Sequence, residues 1–169
     1  MGTHEWTVTP VPVEHPEAVA VVREYLAEIV ARYYGRPVSA AELDQVVLDE
    51  PLTGLETFLI ARQEDRVAGC AGLRRLDAVT GEVTKVYVHP AARGQGGGAR
   101  LLAAVEAAAG ERGMAVLRLD TRGDLVEARA LYARAGYREI PRYNDSPYAA
   151  HWFEKELPGT APVRPPTAS

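Results

Sequence analysis

Apolar positions along the chain change period several times, and each change marks an element. Residues 5–13 alternate crudely, with Trp6, Val8 and Val11 available to one sheet face and Pro10 and Pro12 ending the run. The period then lengthens. From Pro16 to Tyr34, Val19, Val22, Leu26, Ile29, Val30 and Tyr33 recur at helical spacing, with Pro16 suited to a first turn and Gly35 to the stop. Ser39 and Glu42 have the spacing of a capping box, and Leu43, Val46 and Val47 give a short second helix its apolar stripe. A turn-rich stretch follows around Pro51 and Gly54. Runs of β character at 57–63 and 66–76 flank Glu64-Asp65 and predict a hairpin. Val83, Val86 and Val88, with Thr84 and Tyr87, predict a third strand of this series, closed by His89-Pro90.

The pattern breaks at Arg93-Gly94-Gln95-Gly96-Gly97-Gly98, which cannot be helix interior because each glycine there costs about 1 kcal/mol relative to alanine. Immediately afterwards Leu101, Leu102, Val105, Ala108 and Ala109 fall on one helix face, and Gly113 lies where that helix stops. A short β run at 115–120 follows. Asp124 and Glu127 form a second cap-like pair before a helix carrying Ala128, Leu131, Tyr132 and Ala135 and ending at Gly136. Strands are predicted at 137–140 and 149–157. The last residues, 158–169, hold four prolines without apolar periodicity and are expected to be a disordered tail, and residues 1–4 an untethered leader. No internal repeat is visible. The order β, α, α, β, β, β, glycine loop, α, β, α, β, β predicts an α/β (α+β) domain over 5–157. Its single mixed, mostly antiparallel sheet has about seven strands, a βαβ unit in the second half and helices on both faces.

Composition narrows the function classes. At 169 residues the chain is one domain's length and buries enough surface to need no staple. Hydrophobic residues at 47 % and charged residues at 25 % are the balance of a globular chain. Nineteen basic against 23 acidic residues give a net charge of −4, which argues against nucleic acid as a partner. One cysteine, Cys70, excludes an internal disulfide and a multi-cysteine zinc cage, and is read as a small packed hydrophobe. No His/Asp/Glu grouping has metal-ligand spacing. No apolar run reaches the roughly 20 residues that cross a bilayer, and no signal pattern opens the chain, so the expectation is a cytoplasmic protein without a membrane partner.

A strand, a glycine cluster and a helix in succession make an anion cradle. Glycines let consecutive N–H groups face one point, and the helix N-terminus adds roughly half a positive charge there. Arg93 can add a charge-assisted bond. A Walker loop would need Lys-Ser/Thr after the last glycine, where the chain has Ala99-Arg100. A dinucleotide fingerprint would need to open the first strand, whereas here a hairpin series precedes it, and Asp120 about 20 positions on does not repair that order.

The residues 93–98 match in full the pyrophosphate-loop pattern Arg/Gln-x-x-Gly-x-Gly/Ala of the GNAT superfamily of N-acetyltransferases. The preceding strand with Pro90, the following Leu101-Leu102, and Ala128-x-x-Leu131-Tyr132-x-x-x-Gly136-Tyr137 match that family's surroundings and second motif. Over residues 5–157 the chain thus resembles a GNAT enzyme. Many members carry Asn seven residues before the motif tyrosine; Leu125 stands there in this chain.

The resemblance implies acetyl-coenzyme A as co-substrate, no metal, and a V-shaped gap between strands 82–88 and 115–120 to hold it. Val86 and Val88 would pair with the pantetheine arm, as an added strand would. Arg93, Gly94, Gln95, Gly96, Gly97, Gly98 and Ala99 would hold the pyrophosphate. The implied chemistry is attack by a neutral primary amine on a thioester. Deprotonating a lysine-like amine costs about 4 kcal/mol at neutral pH and an α-amine about 1. Glu82 is the candidate base, directly or through water, against the plain reading of a strand-end carboxylate facing solvent. Tyr132 matches the family's general acid for the departing thiolate, against a core tyrosine beside Leu131. His89 is read as structural, at the loop entrance.

Residues 142–148, polar and aromatic with turn formers, suit either a loop over the acceptor or an ordinary hairpin connection. From them Tyr143, Asn144 and Tyr148 are candidate substrate contacts, with His151 divided between packing and acceptor lining. The expected activity is acetyl transfer to a small-molecule amine or amino acid. A protein lysine or N-terminal acetyltransferase and a non-catalytic coenzyme-A sensor are the alternatives, and homodimerisation, common among relatives, is a possible partnership.

Overall fold

A computed structural model describes residues 5–159. Seven strands form one sheet in the order β1-β2-β3-β4-β5-β7-β6: β1 Trp6–Pro10, β2 Leu55–Gln63, β3 Arg66–Arg75, β4 Thr80–Val88, β5 Val116–Thr121, β6 Arg138–Ile140 and β7 His151–Glu156. Helices α1 (Pro16–Tyr34) and α2 (Ala40–Asp49) precede β2, while α3 (Gly97–Glu111) and α4 (Val126–Arg134) flank β5 in sequence. Every strand pair is antiparallel except β4–β5, the parallel pair joined through α3. The mixed sheet of the sequence analysis is therefore the observed one. The 1–4 leader and residues 160–169 of the tail lie outside the described residues.

Local chemistry sets most boundaries. Pro16 opens α1 behind His15, whose Nδ1 accepts from Glu17 N at 3.1 Å, and Gly35 closes it at φ 69°. The capping box of α2 forms as read: Ser39 Oγ accepts from Glu42 N, and Glu42 reaches back to Ser39 N. Glu64 and Asp65 both take positive φ, as a two-residue hairpin turn requires between β2 and β3.

Two expectations fail. The α1 stripe is rotated: Ala18, Val21, Val22 and Leu26 are buried while Val19 is exposed, because the sheet face under α1 is met by the Ala18–Val22 side. Asp124 and Glu127 do not cap α4, whose N-cap is Leu125 without a side-chain bond. Asp124 instead pairs with Arg122 two residues before it, and Glu127 with Arg32 across the fold, so ion pairing wins over a cap.

Two cores lie on opposite faces of the sheet. One gathers Leu101, Leu102, Val105 and Ala109 of α3 with Leu59, Ala71, Leu73 and Tyr132; the other gathers α1 with Phe58, Ile60, Cys70 and Tyr87. Each fully buried Leu or Val contributes roughly 1.5–3 kcal/mol of transfer free energy. Cys70 is wholly buried, and burial pushes its thiol well above the ordinary range, consistent with a packing role.

The functional feature of the sheet is where pairing stops. β4 and β5 pair only from Thr80–Val116 to Glu82–Arg118, and beyond Glu82 β4 has no β5 partner. Between the Gly72–Thr84 and Cys70–Tyr87 pairs β4 carries one residue more than β3. Within that bulge Lys85 takes φ 57°, a left-handed conformation costly for a lysine, with its carbonyl accepting from Cys70 Sγ at 3.3 Å. The bulge bends β4 at the point where it leaves β5, and a wedge opens in the sheet.

Candidate active site

Two cavities meet in the wedge. One, of about 450 Å³, is bounded by Val86 and Val88 of β4, the glycine loop, α1 and α4. The other, of about 650 Å³, is bounded by Glu82 and Thr84 of β4, Asp120 of β5, α1 and the loop before β7. Tyr25, Ile29, Val86, Leu125, Ala128 and Tyr132 line both, so the two form one cleft through the sheet. Arg32 ties α1 to α4 across this cleft through Glu127 and the Asp124 carbonyl, and Arg122 donates to the Ile29 carbonyl at 2.6 Å.

The first cavity ends on main chain. Gly94 and Gly96 have φ of 77° and 85°, and Gly96 is the N-cap of α3, with no side chain satisfying the first-turn amides. A Cβ on Gly97 would stand 2.5 Å from the Trp6 ring, and one on Gly98 would stand 2.8 Å from Leu131 Cδ2. Trp6 also donates from Nε1 to the Gln95 carbonyl at 3.0 Å, fixing the loop from β1. Unsatisfied amides on a bare, rigid helix start fit a diphosphate.

Val86, Val88, Arg93, Gly94, Gly96, Gly97, Gly98 and Ala99 all line this cavity. Gln95 does not: its side chain turns to Gln63. Arg93 is engaged as well, donating to the Val88 carbonyl at 2.9 Å and to both carboxylate oxygens of Glu28 at 2.6 and 2.7 Å. His89 plays the structural part, its Nδ1 accepting from Ala91 N.

In the second cavity Glu82 is nearly buried rather than facing solvent. Its Oε2 accepts from Tyr143 Oη at 2.8 Å and from Asn144 Nδ2 at 3.4 Å, and Arg74 lies 3.6 Å from Oε1. Asn144 Nδ2 also donates to Asp120 at 2.7 Å, while its Oδ1 accepts from Trp152 Nε1 at 2.8 Å and from Ser146 N. The 141–150 segment thus folds onto the carboxylates and is more than a hairpin connection. Tyr148 lines the cavity and stacks edge-on against Tyr33, with ring centroids 5.2 Å apart. His151 is not brought to the cavity; its Nδ1 meets Glu139 at 2.5 Å.

Tyr132 is 6 % exposed at the junction of the cavities and packs on Tyr137 and Phe153. Burial first, and then the Asp120 charge, hold its phenol above the ordinary tyrosine range, so it carries its proton at neutral pH. Tyr143 is pushed up likewise, by burial and by Glu82.

Asp120 is the site residue that pattern reading missed. Its signal lay in the alternation of β5, where Arg118 and Asp120 face away from buried Leu117 and Leu119, but which face borders the wedge is not a local property. Among the described residues no grouping of His, Cys, Asp and Glu could hold a metal ion, and no helix is long and apolar enough to cross a membrane.

The model of the acetyltransferase (GNAT) family matches residues 23–137, across β4, the glycine loop and the Tyr132 helix. The chain belongs to this family. It is an enzyme of the GNAT acetyltransferase class, and its fold is the GNAT acyl-CoA N-acyltransferase fold. An IAA acetyltransferase from Azospirillum brasilense is 34 % identical over 130 residues, covering 75 % of this chain and 82 % of that protein. A GNAT-family acetyltransferase from Staphylococcus aureus Mu50 superposes with a TM-score of 0.71 at 18 % identity, covering 90 % of this chain and 99 % of the other. A GNAT acetyltransferase from Elizabethkingia anophelis, solved with acetyl-CoA bound, superposes at 0.64 with 20 % identity, covering 90 % and 98 %.

Proposed function

We propose that this enzyme transfers the acetyl group of acetyl-CoA directly to a primary amine of a small molecule. The observation that carries the reading is the single cleft in which a main-chain anion cradle and a carboxylate-bearing cavity meet at Tyr132. The donor enters as an activated thioester. Amides at the start of α3 hold its diphosphate, with Gly94, Gly96, Gly97, Gly98 and Ala99 forming the cradle, and the open edge of β4 at Val86 and Val88 receives its amide-bearing arm.

Glu82 takes the proton the acceptor nitrogen must lose, directly or through water, with the Tyr143 hydroxyl donating to its carboxylate to hold it in place. The nitrogen then forms the C–N bond as the C–S bond breaks. Tyr132 gives its proton to the departing sulfur, and burial keeps that proton available at neutral pH. Since Glu82 and Tyr132 face one cleft, no covalent acetyl-enzyme is needed, and Cys70 is sealed in the α1-side core.

A small acceptor is favoured because the 141–150 segment roofs the second cavity, whose volume of about 650 Å³ suits a compact molecule. A similar IAA acetyltransferase supports the same choice. The test is thiol release from acetyl-CoA with a panel of free amines and of lysine and N-terminal peptides. Turnover with free amines is expected; turnover with peptides alone, or with neither while coenzyme still binds, would overturn the proposal.

A further inference from the structure

Charges around the acceptor cavity do not cancel. Lys85 is held by Glu50 at 2.9 Å, Arg122 by both oxygens of Asp124, and Arg74 lies 3.6 Å from Glu82. Each cation facing the cavity thus has its anion. Asp120 differs: among the described residues its hydrogen-bond partner is the neutral Asn144 amide, and no ion pair reaches it. Asp49, the other carboxylate there without a cation, sits on the exposed rim bonded to Gln45. The inner surface therefore carries one uncompensated negative charge, on β5, across the wedge from the candidate base.

Its geometry is specific. Asp120 and Glu82 accept from the same Asn144 nitrogen at 2.7 and 3.4 Å, so the two carboxylates converge on one amide group. A cationic nitrogen beside that point can donate to both, whereas a carboxylate attached next to the nitrogen would face two anions with every nearby cation already taken. Tyr33 and Tyr148, edge-to-face at the cavity rim, offer a flat apolar seat for the rest of the molecule.

Building on the amine-acetylation reading, we infer that Asp120 anchors the acceptor's ammonium group and that the cavity selects cationic amines lacking a carboxylate beside the nitrogen, with an aromatic or similarly flat body. Asp120 holds the nitrogen, and Glu82 receives the proton.

The experiment is an equilibrium titration followed by tryptophan fluorescence, since Trp152 bonds to Asn144 directly. The probes are 2-phenylethylamine, its neutral counterpart 2-phenylethanol, and phenylalanine. Wild-type protein is expected to bind the amine roughly 10- to 100-fold more tightly than the alcohol and than phenylalanine, the range of a hydrogen bond to a charged group. In Asp120→Asn the amine and the alcohol should bind within about threefold of each other, with coenzyme A affinity by calorimetry unchanged. The anchor is overturned if wild type does not bind the amine, if it binds phenylalanine equally, or if Asp120→Asn still discriminates. Binding is read without turnover, so a protein that keeps the preference yet transfers no acetyl group sinks the catalytic proposal and leaves the anchor standing.

Discussion

The two halves of the cleft are built from different materials. The side proposed for the donor presents main-chain amides exposed by glycines, and the charged side chains nearby are tied to one another: Arg93 to Glu28, Arg32 to Glu127. On the acceptor side the chemistry sits in side chains, with Glu82, Asp120, Tyr143 and Asn144 in one hydrogen-bonded group supplied by two strands and a loop. In the proposed reading main chain would hold the co-substrate, while the side chains that would meet the acceptor can be exchanged without disturbing the fold. The comparison predicts that the donor side tolerates loss of side chains but not gain of a methyl group, and that the acceptor side behaves in the opposite way.

The largest effect is expected at the junction. Tyr132→Phe should lower kcat by about 100-fold or more, the scale of general acid catalysis, with coenzyme affinity by calorimetry within about twofold because the ring and the diphosphate cradle are kept. Steady-state and binding measurements on the same preparation decide it. Glu82→Gln should cost a similar factor with lysine-like amines and visibly less with weakly basic ones, since the proton to be removed is cheaper there. Equal losses across an amine series would strip Glu82 of its role as base.

Gly97→Ala tests the donor side. The added Cβ would press on the Trp6 ring at 2.5 Å, and displacing it should cost about 1–3 kcal/mol of stability and about tenfold in coenzyme affinity. Thermal denaturation and calorimetry check the two parts. Glu28→Gln should act in the other direction: releasing Arg93 from a part-exposed ion pair, worth up to about 1 kcal/mol, should tighten coenzyme binding about two- to fivefold. Weaker binding in that variant would make the ion pair a brace for α1.

The smallest effect lies outside the cleft. Bonds from Arg36 and then Ser39 hold the Glu42 carboxyl at about 2, below its ordinary 4.5. A group held lower in the folded state than in the unfolded one stabilises above the unfolded value and ceases to as pH falls through the folded one. The α2 cap should therefore hold at pH 5 and loosen from about 4.5 towards about 2, visible in the Glu42 side-chain resonances and hardly at all in activity.

Elements were legible where the signal is local. The helix Pro16–Tyr34, the Ser39–Glu42 box, the Glu64-Asp65 turn and the glycine stop at Gly136 each follow from residues a few positions apart. The conformation of the glycine loop was legible for the same reason, since a cluster of glycines before a helix states it directly. Readings that rested on one residue's partner fared differently. Gln95 turns to Gln63, His151 to Glu139, and Glu127 to Arg32 on a helix far along the chain. In each, a long-range polar partner settled the side chain's direction, and nothing in its neighbours announces it.

By itself the amino-acid order determined the strand and helix succession, the glycine turn before α3 and the tyrosine of the second motif, because backbone conformation and periodicity are near-neighbour properties. Only tertiary structure decided where β4 leaves β5 and which strand faces border the gap. It also decided that Asn144 from a distant loop joins Glu82 to Asp120. Those depend on the register of strands far apart in sequence and on a left-handed lysine that no local pattern foretells.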